Sequence, residues 1–233
     1  MKLLRRKPRT FEIQVQDMTL HIQAATDFNE ESRAAALSFW EQLHAYTIRN
    51  PSFSSAKRPI DVPADAPEIV REMVSSARRA GVGPRFSFQG AVTDHVGRFL
   101  ARDGQEVTVN CGADYYIRSK KRQKLTVLRR PGSTFAVVVP ASKQGVGVSM
   151  SSGAVRASAG GRAPLDGLAV LAESCMLADA AAAGVQAILS RDDSKDDGFA
   201  TALGYLKKVE GVFGGLVISG ERIGLMGSLE IAA

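Results

Sequence analysis

Four stretches of the chain carry residue types that could do chemistry. The first is LAESCMLADAAAAG, Leu171 to Gly184. It reads as helix, almost every side chain in it is small, and Asp179 is a lone carboxylate among alanines. A helix this bare either lets another backbone pack very close or lets a ligand lie against it. Asp179 is then either a solvated edge residue or the polar contact such a ligand needs. At helical spacing it shares a face with Ala172, Cys175, Met176, Ala183 and Gln186, on the flank of a buried stripe through Leu171, Cys175, Ala178, Ala182, Val185 and Leu189. A carboxylate buried there would have to be paired or metal-bound.

The second stretch is GAVTDHVGRFL, in which Gly90, Asp94 and Gly97 share a helical face. Each glycine costs roughly 1 kcal/mol relative to alanine, so something approaches that face closely, either another helix or a ligand. In VTVNCGADYYI a strand ends at Asn110, Gly112 turns the chain, and Asp114 begins the next strand. Asn110 and Asp114 either form the turn or present an amide and a carboxylate to a ribose or a base. In VSMSSGAVRASAGG, Ser149, Ser151, Ser152 and Gly153 offer hydroxyls and backbone N–H groups to an anion, or else form a flexible linker. The stretch lacks the Gly-Lys-Ser/Thr ending of a P-loop. The histidines, His21, His44 and His95, fall in no metal spacing and complete no recognisable triad.

The elements that must position these residues follow from periodicity. FEIQVQDMTLHIQA alternates at period two and reads as one or two strands. EESRAAALSFWEQLHAYTIRN changes to helical period, with Ala35, Leu37, Trp40, Leu43 and Ile48 as its apolar face. DAPEIVREMVSSARRAG has helix-start chemistry at Asp65 and a stop at Gly81. A further helix is expected over Ser87 to Arg102. QEVTVN, ADYYIRS, KLTVLRR and TFAVVVP read as strands, and GVGVSMSSGAVRASAGGRAP as a strand that becomes a loop. DGLAVLAES leads into the alanine helix, a short helix follows in DDSKDDGFATALGYLKKVEG, and GGLVISGERIGLMGSLEIA closes with a hairpin or meander. The sum is an α+β fold, antiparallel sheet covered by helices. The expected organisation is one domain over 1–233, with 1–10 a basic N-terminal arm and 51–66 a Pro/Ser-rich connector.

Composition narrows the function classes. At 233 residues and 45% hydrophobic content the chain can bury a sizeable core. No apolar run approaches the roughly 20 residues a bilayer span needs. The basic start has no apolar stretch behind it to make a signal peptide, so a cytoplasmic protein without membrane contact is expected. Cys111 and Cys175 read as buried free thiols. Twelve of the 30 basic residues sit in two acid-free stretches, residues 1–10 and 118–130, which leaves 18 basic against 24 acidic elsewhere. Such patches attract phosphate. They lack interleaved aromatics, so nucleic acid is not the expected partner and a solvated hairpin is.

Taken together and in order, GAVTDHVGRFL, VNCGAD, SMSSG and LAESCMLADAAAAG resemble the successive motifs of the ApbE group, the FAD:protein FMN transferases. The similarity is closer to a compact ApbE-like branch of bacteria and archaea, and runs from about Asp65 through AGVGP to the terminal GGLVISGERIGLMGSLEI. The resemblance implies a fold of the T-fold type, two-lobed and related to pterin- and purine-binding sheets. It implies a ligand that is a nucleotide or aromatic heterocycle, with FAD or FMN as cofactor. It implies a Mg ion held partly by Asp179, and a homo-oligomer is compatible with sheets of this kind. In the transferases a Thr four residues after the Asp completes the metal site; here that position is Ala183. Ala113 replaces the second Gly of the turn motif, and no His follows the Ser-Ser-Gly stretch, where Arg156, Ala157 and Ser158 stand. The resemblance therefore implies a flavin- or heterocycle-binding protein with a degenerate metal site, or, alternatively, an active Mg-dependent FMN transferase.

Overall fold

The computed structural model describes residues 8–128, 134–152, 165–190 and 197–232. The chain begins with a hairpin, β1 (Arg9–Val15) and β2 (Met18–Ala24), followed by helices α1 (Asn29–Arg49), α2 (Pro51–Ser55), α3 (Glu68–Arg79) and α4 (Phe88–Leu100). Five strands come next: β3 (Val107–Cys111), β4 (Asp114–Ser119), β5 (Gln123–Leu128), β6 (Thr134–Val139) and β7 (Ser142–Ser152). The chain ends with β8 (Gly167–Ala172), α5 (Cys175–Leu189), α6 (Gly198–Lys208), β9 (Val212–Ser219), β10 (Arg222–Gly227) and β11 (Glu230–Ala232).

Eight strands form one antiparallel sheet in the order β1-β2-β3-β4-β7-β8-β9-β10, and a second sheet has the order β11-β6-β5. The fold is α+β in three layers. Helices cover one face of the large sheet over two apolar clusters. One is built on Leu20, Ile22, Leu43 and Val92, the other on Leu168, Val170, Leu177 and Leu206. The small sheet covers part of the other face through Ile117, Val137, Val148, Leu171 and Leu216. Successive strand residues point to opposite faces, so β8, in the middle, is buried on both sides at every position.

That burial corrects one expectation. Leu171 and Ala172 belong to β8, not to the alanine helix, which starts at Cys175 behind an N-cap at Ser174. A strand enclosed on both faces shows no alternation, so its apolar run is easily joined to the helix behind it. Two further corrections concern helix faces and starts. The inward positions of α1 are Ser32, Ala36 and Leu43, whereas Leu37 and Ile48 are 36% and 64% exposed. Asp65 does not cap α3, which starts at Glu68 after Pro67 in extended conformation. The segment expected as connector opens with α2, and Arg9 and Thr10, expected in the loose arm, pair with Ala24 and Gln23 in β1. Residues 1–7 lie outside the described residues.

The join between sheet and helices is close. A Cβ on Gly147 of β7 would fall on the backbone of Ser174 and Cys175, where α5 begins. Gly147→Ala is therefore expected to destabilise by about 3 kcal/mol, the upper end for overpacking against backbone. Gly204→Ala, on α6 with open space around it, is expected to be neutral or to stabilise by up to about 1 kcal/mol. Urea unfolding of both variants checks this, and equal effects would contradict the packing described.

Candidate functional site

Helix α5 starts cleanly because the Ser174 hydroxyl accepts the Leu177 N–H at 3.2 Å, satisfying one of the free amides of the first turn. From there the helix runs through the middle of the molecule, touching α3, α4, α6, β7 and β8. Its small residues answer to that crowding. Ala178, Ala180, Ala181 and Ala182 are buried, and Gly184 faces the ring and hydroxyl of Tyr205 with no room for a side chain. Between Cys175 and Gln186 the partly exposed residues are Asp179, Ala183 and Gln186. Their spacing of four and three places them in one stripe.

Helices α4 and α5 cross at Gly90. A Cβ there would lie 2.9 Å from the Cys175 carbonyl oxygen and 3.1 Å from the Asp179 Cβ. The close approach that the glycines of α4 imply is thus a helix at Gly90, and at Gly97 it is the Tyr116 ring of β4. Each helix also caps the other. Asp94 Oδ1 accepts the Cys175 N–H at 2.8 Å, and the Asp179 carboxylate accepts the Gly90 N–H. Both bonds place a carboxylate on first-turn amides, where the helix dipole favours negative charge. Asp94, 2% exposed, also meets Arg98 Nε at 3.1 Å. Arg98 continues to Glu72 at 3.2 Å, and Glu72 meets His95 Nε2 at 3.0 Å. Burial raises the Glu72 carboxyl, but hydrogen bonds from His95 and Arg98 and the Arg98 charge outweigh it and hold the group at about 2.

Asp114 opens β4 opposite Cys111 on one side and Ser149 on the other. It is 2% exposed. Burial pushes its carboxyl up to about 7, partly opposed by a hydrogen bond from the Ser149 hydroxyl, and its Oδ1 has no partner. Asp179 is raised as well, first by burial and then by the charge of Asp114, with the Gly90 N–H acting against both. Part of the Asp179 surface meets solvent, which tempers the effect of burial there. Ser151 lies two residues on from Ser149 and so on the same face of β7; its hydroxyl accepts from Gln186 Nε2 at 3.4 Å. The structure thus brings Asp114, Ser149, Ser151, Asp179 and Gln186 to the contact of β7 with α5.

Other residues singled out in the sequence do different work. Asn110 uses its amide on the turn, donating to the Gly112 carbonyl at 3.0 Å and the Asp114 carbonyl at 3.1 Å. Strand alternation sends its side chain to the face away from Val109 and Cys111, which pack in the core with α4. Gly112 has φ +57°, the left-handed conformation the turn requires. Gly90 serves the helix crossing and Asp94 the capping of α5. Gly153 and the side chain of Ser152 lie outside the described residues, as do Arg156, Ala157 and Ser158. The Glu72–His95–Arg98 group was not foreseen. Its signal would have been Asp94 and Arg98 at i,i+4 on a helix with few other charges.

Chemically the cluster is a buried carboxyl, Asp114, and a part-exposed one, Asp179, beside hydroxyl and amide groups. Two such carboxylates resist ionising together, so the arrangement favours either a retained proton or a neutralising ligand. The thiols are not nucleophiles at neutral pH. Burial and the charge of Asp114 push Cys111 up to about 11, and burial with Asp94 and Asp114 raises Cys175 well above its ordinary value. Among the described residues no group of three or more His, Cys, Asp or Glu comes together to hold a metal ion, and no helix is long and apolar enough to cross a membrane.

The comparisons with known proteins agree with the fold. The family model described as AbpE bacteria matches residues 1–204. A UPF0280 protein of Methanocaldococcus jannaschii is 30% identical over 197 residues, covering 81% of this chain and 78% of the relative. A UPF0280 protein of Methanosarcina acetivorans is 27% identical over 217 residues, covering 91% and 81%. Among solved structures, the apo form of the flavinyl transferase ApbE of Pseudomonas stutzeri superposes with a TM-score of 0.61 at 14% identity, covering 100% of this chain and 96% of that one. That likeness is one of fold.

Proposed function

Because the chain belongs to the AbpE bacteria family, we propose that it binds a flavin or a related heterocycle or nucleotide, and that its transferase metal site is degenerate. The observation that carries this reading is the part-exposed stripe Asp179–Ala183–Gln186 on a helix whose other residues from Cys175 to Val185 are buried, set against Ser149, Ser151 and Asp114. A flat ring or a ribose-phosphate lying on that stripe meets a methyl group at Ala183, a carboxyl at Asp179 and an amide at Gln186. The Pseudomonas stutzeri protein of like fold is a flavinyl transferase, which supports a flavin as the first ligand to test. Ala183 has no oxygen to give a Mg ion, which seeks six, and Asp179 already accepts the Gly90 N–H. The residues present do not make the full metal cage.

One observation favours the alternative, a Mg-dependent FMN transferase: the Asp114 Oδ1 is buried without a partner, and a cation beside Asp179 would satisfy it. Calorimetric titration of FAD, FMN and a pterin into wild type and Asp179→Asn, with and without Mg, separates the two. The proposal expects wild type to bind at least one of them without Mg. It expects the substitution to weaken that ligand roughly tenfold to hundredfold, the value of one charge-assisted hydrogen bond. Binding that appears only with Mg and is abolished in the variant would favour the transferase. Binding of none of the three, or no change in the variant, would make Asp179 a capping residue alone.

A further inference from the structure

We propose that the free edge of β10 is where a second copy of this chain docks, strand antiparallel to strand, across a two-fold axis normal to the large sheet. β10 ends the order of that sheet, and among the described residues no strand pairs with its outer side. Its register with β9 runs unbroken from Arg222 to Gly227, so no bulge turns the edge away. A free row of N–H and C=O groups templates pairing, and sheets guard such edges with charged side chains, Pro or bulges. The opposite edge is guarded: β1 presents Thr10, Glu12 and Gln14 on the face turned from the helices. On that same face β10 presents Ile223 and Leu225, 43% and 47% exposed. After Arg222 the strand carries no charge. The Arg222 guanidinium is drawn back to the helix side, over the Phe199 ring at 4.2 Å and onto Asp197 at 2.9 and 2.6 Å.

The occupant follows from what the edge cuts through. On one face Ile223 and Leu225 extend the apolar cluster of their β9 partners, Ile218 and Leu216. On the other face Phe199 and Leu203 of α6 close over Gly224 and stay partly exposed. Both apolar layers are thus open at β10, as in an interface that resembles a domain core cut in half. A two-fold axis at Gly224 sets Ile223 opposite the partner's Leu225, and Leu225 opposite the partner's Ile223, so the exposed pair is its own complement. The helices fit the same axis. α6 lies over β9 and β10 alike. With strands about 4.8 Å apart, the two α6 axes stand about 10 Å apart, at the upper end of the roughly 8–10 Å of packed helices. The two helices run antiparallel. Each starts at an acid, the N-cap Asp197, and ends in Lys207 and Lys208. The acidic end of one therefore lies toward the basic end of the other, and their dipoles oppose. β8 and β9 stand between β10 and the β7 residues near Asp179, and the inference does not rest on the flavin reading.

The test is sedimentation equilibrium of the full-length wild type, Leu225→Glu, Ile223→Lys and Ile48→Glu, with urea unfolding of each to establish that it is folded. Ile48 is 64% exposed on α1 and its substitution makes the same chemical change as Leu225→Glu at a distance from β10. The expected result is a wild-type dimer. Leu225→Glu and Ile223→Lys each set a charge against an apolar side chain twice per dimer and weaken it at least about a hundredfold. Ile48→Glu weakens it less than about twofold. An equimolar mixture of Leu225→Glu and Ile223→Lys regains the dimer, because one Glu–Lys pair and one Leu–Ile pair then face across the axis. A monomeric wild type, a dimer that persists in Leu225→Glu, or equal losses in Ile48→Glu would overturn the proposal. So would a mixture that stays monomeric, which denies the register, or growth into long polymers, which pairing of β10 with β1 would give.

Discussion

Asp94→Ala is expected to destabilise the protein by about 3–4 kcal/mol, the largest loss from any single side chain considered. The substitution removes three things together. It leaves the Cys175 N–H at the start of α5 without its acceptor, a loss of about 1 kcal/mol for a cap. It strips Arg98 of the buried carboxylate against which its Nε lies, and breaking one side of such a pair costs about 3–5 kcal/mol when the remaining charge is left alone. Glu72 still holds Arg98, which keeps the total toward the lower part of that range. It also empties a position that is 2% exposed. Asp94→Asn keeps an oxygen for Cys175 and loses the charge, so about 1–2 kcal/mol is expected. Urea midpoints of the two variants give the comparison. Losses below about 1 kcal/mol in both would mean that the crossing of α4 and α5 is held by apolar packing alone.

The second large effect is a pH dependence. The Asp114 carboxyl stands at about 7 in the folded chain against 3.8 as a free group. Between those values the folded state keeps a proton that the unfolded state releases, so stability is fully present below about 4 and is lost as pH rises to about 7. The gap of about three pH units corresponds to a loss of up to about 4 kcal/mol. Asp179, raised in the same direction, adds to the slope. Asp114→Asn, neutral at every pH, is expected to match wild type near pH 4 and to exceed it by about 2–4 kcal/mol at pH 8. Unfolding curves at five pH values from 4 to 8 check the prediction, and parallel stability profiles for the two proteins would contradict it. A ligand or cation that neutralises the carboxyl pair should restore wild-type stability at pH 8 and leave Asp114→Asn unmoved.

The readings that succeeded rest on signals written in single segments. The β3–β6 strands are short, rich in β-branched or aromatic residues and separated by turn residues, as Asn110 and Gly112 illustrate. Gly90 and Gly97 announced a close approach, because a bare helix face has few other uses. What approaches could not be read from α4 itself; it is the first turn of α5 at one glycine and Tyr116 at the other. The alanines of α5 are the clearest case. Their size is dictated by five neighbouring elements, of which only β8 and α6 are adjacent in sequence, and only assembly separates Ala182, buried, from Ala183, partly exposed. β8 hid for the opposite reason, since burial on both faces erased its alternation. The Asp114–Ser149 pairing depends on strand register between β4 and β7, which the intervening hairpin of the second sheet conceals.

The central claim, that the part-exposed stripe of α5 receives a flavin or related heterocycle, is tested most directly by crystals of the full chain grown with FAD. The account predicts ligand density over Ala183, with a polar ligand atom within hydrogen-bond distance of the Asp179 carboxyl and another near Gln186 or Ser151. FAD seated elsewhere on the chain, or crystals in which the α5 stripe stays bare at saturating FAD, would contradict it.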